Sequence, residues 1–247
     1  MNTKLITPHE DDELFNELIE MLNSDEATIR RVAISELPEM GDRAVPMLVG
    51  SLKDSDFANV QNAAFGLAEL GSYAAVRPLL TLYNIGDRAT QILIFTALGM
   101  IGGETSVQWL LYILNNSRLW GDQVYAALAL GEIGDPSAVD SLVAVLKQSW
   151  RDVRSTAADA LGKIADPAAV PALLEVLNGH DWVGNNLRFP YSVTRALAKI
   201  GTEEAVNALI AALNDTEKSV DKAAAKALER VDLPKVQSAL KAWKDGQ

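Results

Sequence analysis

The sequence predicts an all-α solenoid, a superhelix of about seven stacked helix pairs closed by a C-terminal helix. The first observation behind this is a recurring apolar motif. It reads Ala44-Val45-Pro46-Met47-Leu48, Ala75-Val76-Arg77-Pro78-Leu79, Ser106-Val107-Gln108-Trp109-Leu110, Ala138-Val139-Asp140-Ser141-Leu142, Ala169-Val170-Pro171-Ala172-Leu173 and Ala205-Val206-Asn207-Ala208-Leu209. The valines are spaced by 31, 31, 32, 31 and 36 residues. A fixed period of this length marks a repeat architecture. The second observation lies upstream of each motif, where small or apolar residues stand four and three apart: Ala33, Leu37, Met40; Ala63, Leu67, Leu70; Ile94, Leu98, Ile101; Ala126, Leu130, Ile133; Ala157, Leu161, Ile164; and Val193, Leu197, Ile200. These intervals are one face of an α-helix. No strand pattern competes.

Each repeat therefore reads as helix A, a short loop, helix B and a turn. Five of the six turns open with glycine, at 41, 71, 102, 134 and 201, and the sixth with Ala165. Glycine after the last apolar residue is a helix C-cap signal. The first A helix is expected at about 12–22 and the last B helix at about 219–231. A terminal helix over 234–244 caps the stack, with Pro234 at its start, where a missing N–H costs nothing. Residues 1–10 are expected to fray. The 36-residue repeat places its five extra residues in an extended inter-helix loop, 179–191. One pair alone buries too little surface, so a single domain over 1–247 with a continuous core is expected.

Composition narrows the function. Hydrophobic residues make up 49% of the 247, which excludes a disordered chain. The absence of cysteine excludes thiol catalysis, thiolate metal sites and iron–sulfur ligation by this chain. Apolar runs such as 92–95 fall far short of the roughly 20 residues that cross a bilayer. The N-terminus is polar, ends in Glu10-Asp11-Asp12-Glu13 and lacks a signal-peptide pattern, so a cytoplasmic protein with no membrane partner is expected. The net charge of −11 disfavours nucleic acid and points to a protein or small-molecule partner. The two histidines, His9 and His180, make no metal site by spacing. No phosphate loop, nucleophile elbow or dinucleotide fingerprint is present. No catalytic or metal-ligating residue and no cofactor is expected.

Candidate binding residues are those that break the repeat. A β-branched residue followed by arginine opens helix B at Ile29-Arg30 and Val153-Arg154. Elsewhere the pair becomes Asn59-Val60, Thr90-Gln91, Asp122-Gln123, Phe189-Pro190 and Val220-Asp221. The loops before helix B carry Trp120, Trp150 and Trp182, each close to an arginine, Arg118, Arg151 and Arg188, and the preceding repeat adds Arg88. Loops at one repeat spacing fall side by side, so these residues are expected to form a row. Arginine suits carboxylates and aromatic faces, and tryptophan with arginine is typical of interface hot spots. Asp87, Asp122 and Asp152 read first as helix N-caps or first-turn carboxylates. The C-terminal lysines 218, 222, 226, 235, 241 and 244 read as a solvated outer face.

The period and the glycine–aspartate–proline turn resemble HEAT-like repeats. Ala138-Val139 after Gly134-Asp135-Pro136, and Val153-Arg154 leading to Ala160-Leu161-Gly162-Lys163-Ile164, resemble more narrowly the phycobilisome-lyase type of HEAT-like repeat. The single His9-Glu10 dipeptide, outside any repeat, does not match the repeated His-Glu pairs of HEAT-like deoxyhypusine hydroxylases. The resemblance implies that B helices line a concave face. Asn59, Asn62, Gln91, Gln123, Tyr125, Asp152, Ser155, Tyr191 and Arg195 would then look into it, beside Arg154. The function it implies is a protein–protein interaction module or scaffold. The alternative is a bilin lyase or bilin-handling chaperone acting on a phycobiliprotein. There arginines would take the propionates of an open-chain tetrapyrrole, Trp and Tyr would stack on its rings, and Asp122 or Asp152 would face its ring nitrogens.

Overall fold

The computed structural model describes residues 8–147, 150–179 and 188–246. The chain divides into two compact units, Met1–Ser106 and Val107–Gln247. The first contains α1 (Pro8–Leu22), α2 (Ala27–Glu36), α3 (Val45–Ser51), α4 (Phe57–Glu69), α5 (Val76–Ile85) and α6 (Arg88–Ile101). Next comes α7 (Gly103–Asn116), whose first turn holds the division. The second unit continues with α8 (Trp120–Ile133), α9 (Val139–Leu146), α10 (Arg151–Ile164), α11 (Val170–Gly179), α12 (Arg188–Ile200), α13 (Glu203–Ala212), α14 (Lys218–Leu228) and α15 (Pro234–Asp245). Odd-numbered helices up to α13 are the A helices and even-numbered ones the B helices. Among the described residues there are seven pairs, a terminal helix and no strand, so the fold is an all-α solenoid. Two boundaries differ from the sequence reading. Helix α1 begins at Pro8, inside the stretch expected to fray, and α12 begins at Arg188, inside the expected 179–191 loop. Residues 180–187 of that loop lie outside the described residues.

The repeated motifs are buried in every repeat. Ala44, Ala75, Ser106, Ala138, Ala169 and Ala205 are fully enclosed, as are the leucines four residues on, Leu48, Leu79, Leu110, Leu142, Leu173 and Leu209. On the B helices the same holds for Ala33, Ala63, Ile94, Ala126, Ala157 and Val193 and for the leucines four residues later. Each fully buried leucine contributes roughly 2–3 kcal/mol before the cost of ordering. The third position of the helix-B pattern, as at Ile133, Ile164 and Ile200, is half-buried at the helix end in five of the six repeats, and Ile101 is the buried exception.

In the second unit α8, α10 and α12 lie side by side. They run parallel, since residues near matching ends meet. Arg154 stacks over Phe189 near the N-termini, 4.4 Å from the ring centre. Lys163 pairs with Glu132 near the C-termini. The approach is close: a Cβ on Gly131 would stand 2.8 Å from Ala160 Cα, and one on Gly162 2.7 Å from Ala196 Cα. No side chain fits there without moving a helix.

The turns follow from capping chemistry. The Asp135 carboxylate accepts from Ser137 N at 2.9 Å and the Asp166 carboxylate from Ala168 N at 2.8 Å. Each starts a short 3-10 turn that delivers the next A helix. The Ser137 N–H also holds the Asp135 carboxyl below its ordinary pKa. Positive φ recurs at Gly41, Gly71, Gly102, Gly134 and Gly201, and Ala165 takes the same place with φ 57°. A left-handed non-glycine residue costs about 1–2 kcal/mol. Ala165→Gly is therefore expected to stabilise the protein by about 0.5–1 kcal/mol, after the extra freedom of glycine in the unfolded chain is subtracted. Urea unfolding of the two forms would measure this.

The first unit is pinned by a polar cluster. Arg30 donates to Asp54 through Nε at 2.6 Å and a terminal nitrogen at 2.8 Å, and reaches the carbonyls of Ser24 and Asp25. Asp54 also accepts from Asp56 N at 2.9 Å and from Asn59 Nδ2 at 3.0 Å. Asn59 is fully buried, where four other repeats place Ile29, Val153, Phe189 and Val220, and bonds to Ala27 O as well. The Arg30 guanidinium holds the Asp54 carboxyl well below the usual carboxylate range. A depressed carboxyl stabilises the fold at pH above its unfolded value, about 3.9, and loses that contribution as pH falls through its folded value. Asp54→Ala should lower stability by about 2 kcal/mol at pH 7. The gap from wild type should narrow below pH about 4, which denaturant titrations at pH 7 and pH 3 would show.

Candidate functional site

The parallel order of α8, α10 and α12 aligns their N-termini along one edge of the second unit, and most of the tryptophan–arginine set stands there. Trp120 is the first residue of α8 and Trp150 the N-cap of α10. They are 51% and 53% exposed, so each presents about half of its surface to solvent. Leu119 beside Trp120 is exposed as well. Arg118 precedes α8 by two residues, while Arg151 and Arg188 begin α10 and α12, and all three are exposed. Arg118 and Arg151 have no carboxylate partner among the described residues, and Arg188 lies 3.8 Å from Asp159. Cations at helix N-termini oppose the helix dipole at a cost of about 0.3–1 kcal/mol each. Helix stability therefore does not account for arginine at these places. Trp182 lies outside the described residues.

The remaining predicted residues separate into exposed and internal groups. Asp152 is exposed in the first turn of α10, and Tyr125 is half-buried on α8. Arg154 is half-buried against Phe189. Asp122 is a buried first-turn carboxylate that accepts from Ser117 Oγ at 3.0 Å, so it is turned inward to fix its own loop and does not face a groove. Gln123 is buried too and donates to the carbonyls of Leu114 and Ser117 at 3.2 and 3.1 Å. With Asn59 and Ser155, which are fully enclosed, it corrects the expectation of an amide-rich groove. All three sit at core positions, and Asn59 and Gln123 tie loops. In the first unit, Arg88 begins α6 and reaches Gln91 Oε1 at 3.3 Å, and Gln91 donates to Tyr83 O at 3.3 Å. Asp87 caps α6 by accepting from Thr90 N at 2.8 Å, and that N–H lowers its pKa.

A second feature lies between α12 and α14: an open groove of about 350 Å³ lined by Tyr191, Arg195, Lys199, Lys226 and Arg230 among others. Arg195 pairs with Asp159, and Lys226 Nζ stands 5.8 Å from the Tyr191 ring centre. Sequence reasoning did not single out Lys199 or Arg230 and placed Lys226 on an outer face. The signal was present in the spacing, because 191, 195 and 199 are four apart on one helix, as are 222 and 226 on the next, with Arg230 a further four residues on, just past its end. Among the described residues, no three His, Cys, Asp or Glu side chains gather as a metal would require. No described helix is long and apolar enough to cross a membrane.

Comparison with known proteins agrees with this architecture. The family model of HEAT repeats matches residues 107–187 and 188–247, more than half of the chain. The chain belongs to the HEAT-repeat family. No curated protein sequence matches it. Among solved structures it is similar to the complex of CpcE and CpcF of phycocyanin lyase from Nostoc sp. PCC7120, with 22% identity, 98% of this chain and 97% of that chain covered, and a TM-score of 0.50. It is also similar to yeast importin-beta (Kap95p), with 14% identity and a TM-score of 0.60, covering 96% of this chain and 38% of that one. At such identities the likeness is one of fold.

The exposure of the two tryptophans gives a direct expectation. Trp120→Ala and Trp150→Ala should each change the unfolding free energy by less than about 1 kcal/mol. Phe189→Ala, at a fully buried position, should cost about 3–5 kcal/mol. Urea unfolding followed by circular dichroism would compare the three.

Proposed function

We infer that the chain is a non-catalytic protein-binding module whose contact surface is the tryptophan–arginine edge of the second unit. One observation carries this reading. Trp120 and Trp150, half exposed at consecutive parallel helix N-termini, each have an exposed arginine beside them that lacks a carboxylate partner among the described residues. Tryptophan and arginine together provide broad apolar contact and forked hydrogen bonding, the chemistry of interface hot spots. Arg188 extends the same edge. The HEAT-repeat framework fits, since stacked repeats present long surfaces of independent positions. A cytoplasmic location is part of this reading.

A second reading is favoured by the likeness in fold to the phycocyanin lyase complex over nearly the whole chain. In it the module would hold an open-chain tetrapyrrole and present it to a phycobiliprotein. Arginines of the edge would take the propionates and Trp120, Trp150 or Tyr191 would stack on the rings. Asp152, exposed at the start of α10, is available for protonated ring nitrogens, whereas Asp122 is engaged by Ser117.

Affinity capture from extract of the source cell, wild type beside Trp120→Ala/Trp150→Ala/Arg151→Glu, tests the first reading. Losing two aromatic anchors and reversing one charge should reduce recovery of the true partner by roughly 100-fold or more. A partner retained by the variant would remove the edge from consideration. Titration with phycocyanobilin tests the second: a spectral change that the same variant abolishes supports it, and an unchanged spectrum sinks it.

A further inference from the structure

The chain carries a net charge of −11, yet α12 contains no carboxylate at all; its charged residues are Arg188, Arg195 and Lys199. The neighbouring α14 holds Lys218, Lys222 and Lys226 against one acid, Asp221, which is buried and paired with Lys218 at 3.3 Å. Where these two helices meet, the groove at Tyr191 is lined by four cations and no acidic side chain. Arg195 is engaged by Asp159 at the rim. Lys199, Lys226 and Arg230 are exposed and have no carboxylate partner among the described residues. Surface cations elsewhere in the molecule are commonly paired, as Lys147 is with Glu175 at 2.8 Å and Arg43 with Asp12 at 2.8 Å. The floor is small and apolar, with Ala223 and Ala227 buried, so the cations stand around a shallow trough.

We propose that this groove is a docking site for an acidic segment of a partner protein, with successive carboxylates on Lys199, Lys226 and Arg230 and an apolar or aromatic side chain against Tyr191. The proposal rests on the protein-binding reading above and names the chemistry of the partner. Charge complementarity selects the occupant. A short acidic segment meets only the local positive field of the groove. A nucleic acid is a continuous polyanion and would run on over the acidic remainder of the surface. A strand of bases would also need successive stacking platforms, and the groove provides one half-buried tyrosine. The volume of about 350 Å³ suits a few side chains.

The test is fluorescence anisotropy with the full chain and fluorescein-labelled octaglutamate at low salt, each variant checked for folding by circular dichroism. Wild type should bind saturably and weaken as salt rises. Lys199→Gln/Lys226→Gln/Arg230→Gln should bind at least about tenfold more weakly, since three charge contacts are lost. Lys235→Gln/Lys241→Gln/Lys244→Gln, which removes the same charge from α15, should stay within about twofold. Absence of octaglutamate binding overturns the proposal, as does equal loss in both triple variants, which would mean diffuse attraction only. Tighter binding of a 12-nucleotide single-stranded DNA, lost in the groove variant, would make the groove a phosphate site and also overturn it. Trp120→Ala/Trp150→Ala should keep octaglutamate binding. If octaglutamate fails while partner capture still depends on the tryptophans, the groove assignment falls and the protein-binding reading stands. If partner capture ignores the tryptophans while octaglutamate binds, the edge reading falls instead.

Discussion

Between α8 and α10, and again between α10 and α12, the helix backbones approach until a single methyl group would collide. Gly131 faces Ala160 and Gly162 faces Ala196 at these points. This approach sets the geometry of the second unit. It puts three parallel helices in register, so that whatever each helix carries at its N-terminus stands on the same edge as its neighbours. The tryptophan–arginine edge is thus a product of backbone contact some ten residues away along each helix. The groove between α12 and α14 is built on the same small-residue principle, with Ala223 and Ala227 forming its floor.

The molecule separates the chemistry of holding together from that of recognition. The enclosed alanine, valine and leucine lattice carries the folding energy, and buried polar groups such as Asn59, Asp122 and Gln123 fix the loops between paired helices. Asp54 and Arg30 add one part-buried ion pair whose partners make further hydrogen bonds, Arg30 to the carbonyls of Ser24 and Asp25 and Asp54 from Asp56 N and Asn59 Nδ2. The exposed arginines at helix starts work against the helix dipole. First-turn acids occur on α7, α9 and α13 and also on α8 and α10, as Asp122 and Asp152, so the arginines stand beside the dipole-matched carboxylates and do not replace them.

Most of the architecture was legible because repetition amplifies weak signals. A lone Ala-Val pair says nothing, but five of them and Ser106-Val107, at spacings of 31, 31, 32, 31 and 36, give the repeat, and Gly-Asp-Pro at 134–136 gives the cap, the 3-10 turn and the start of α9 together. The site was legible in part. Loop position revealed that Trp120, Trp150, Arg118 and Arg151 stand at helix starts, because helix ends are what the repeat marks best. The inward set failed at Asn59, Gln123 and Ser155 for a physical reason. Position in a helix tells which side a residue faces, but whether a polar residue there is bathed or enclosed depends on the depth of the neighbouring loop. The cationic groove was hidden because it is made by two helices jointly, and each contributes only ordinary four-residue spacing.

The half-exposed tryptophans have one further consequence. A residue that helps to hold the stack must fit several neighbours at once, so substitutions there are constrained together. Trp120 and Trp150 stand at the margin of that lattice, one per repeat, with about half of each open to solvent, so fewer neighbours constrain them. Recognition in such a chain is modular: a new preference can be assembled one repeat at a time, and the scaffold that displays it need not be re-engineered at any step.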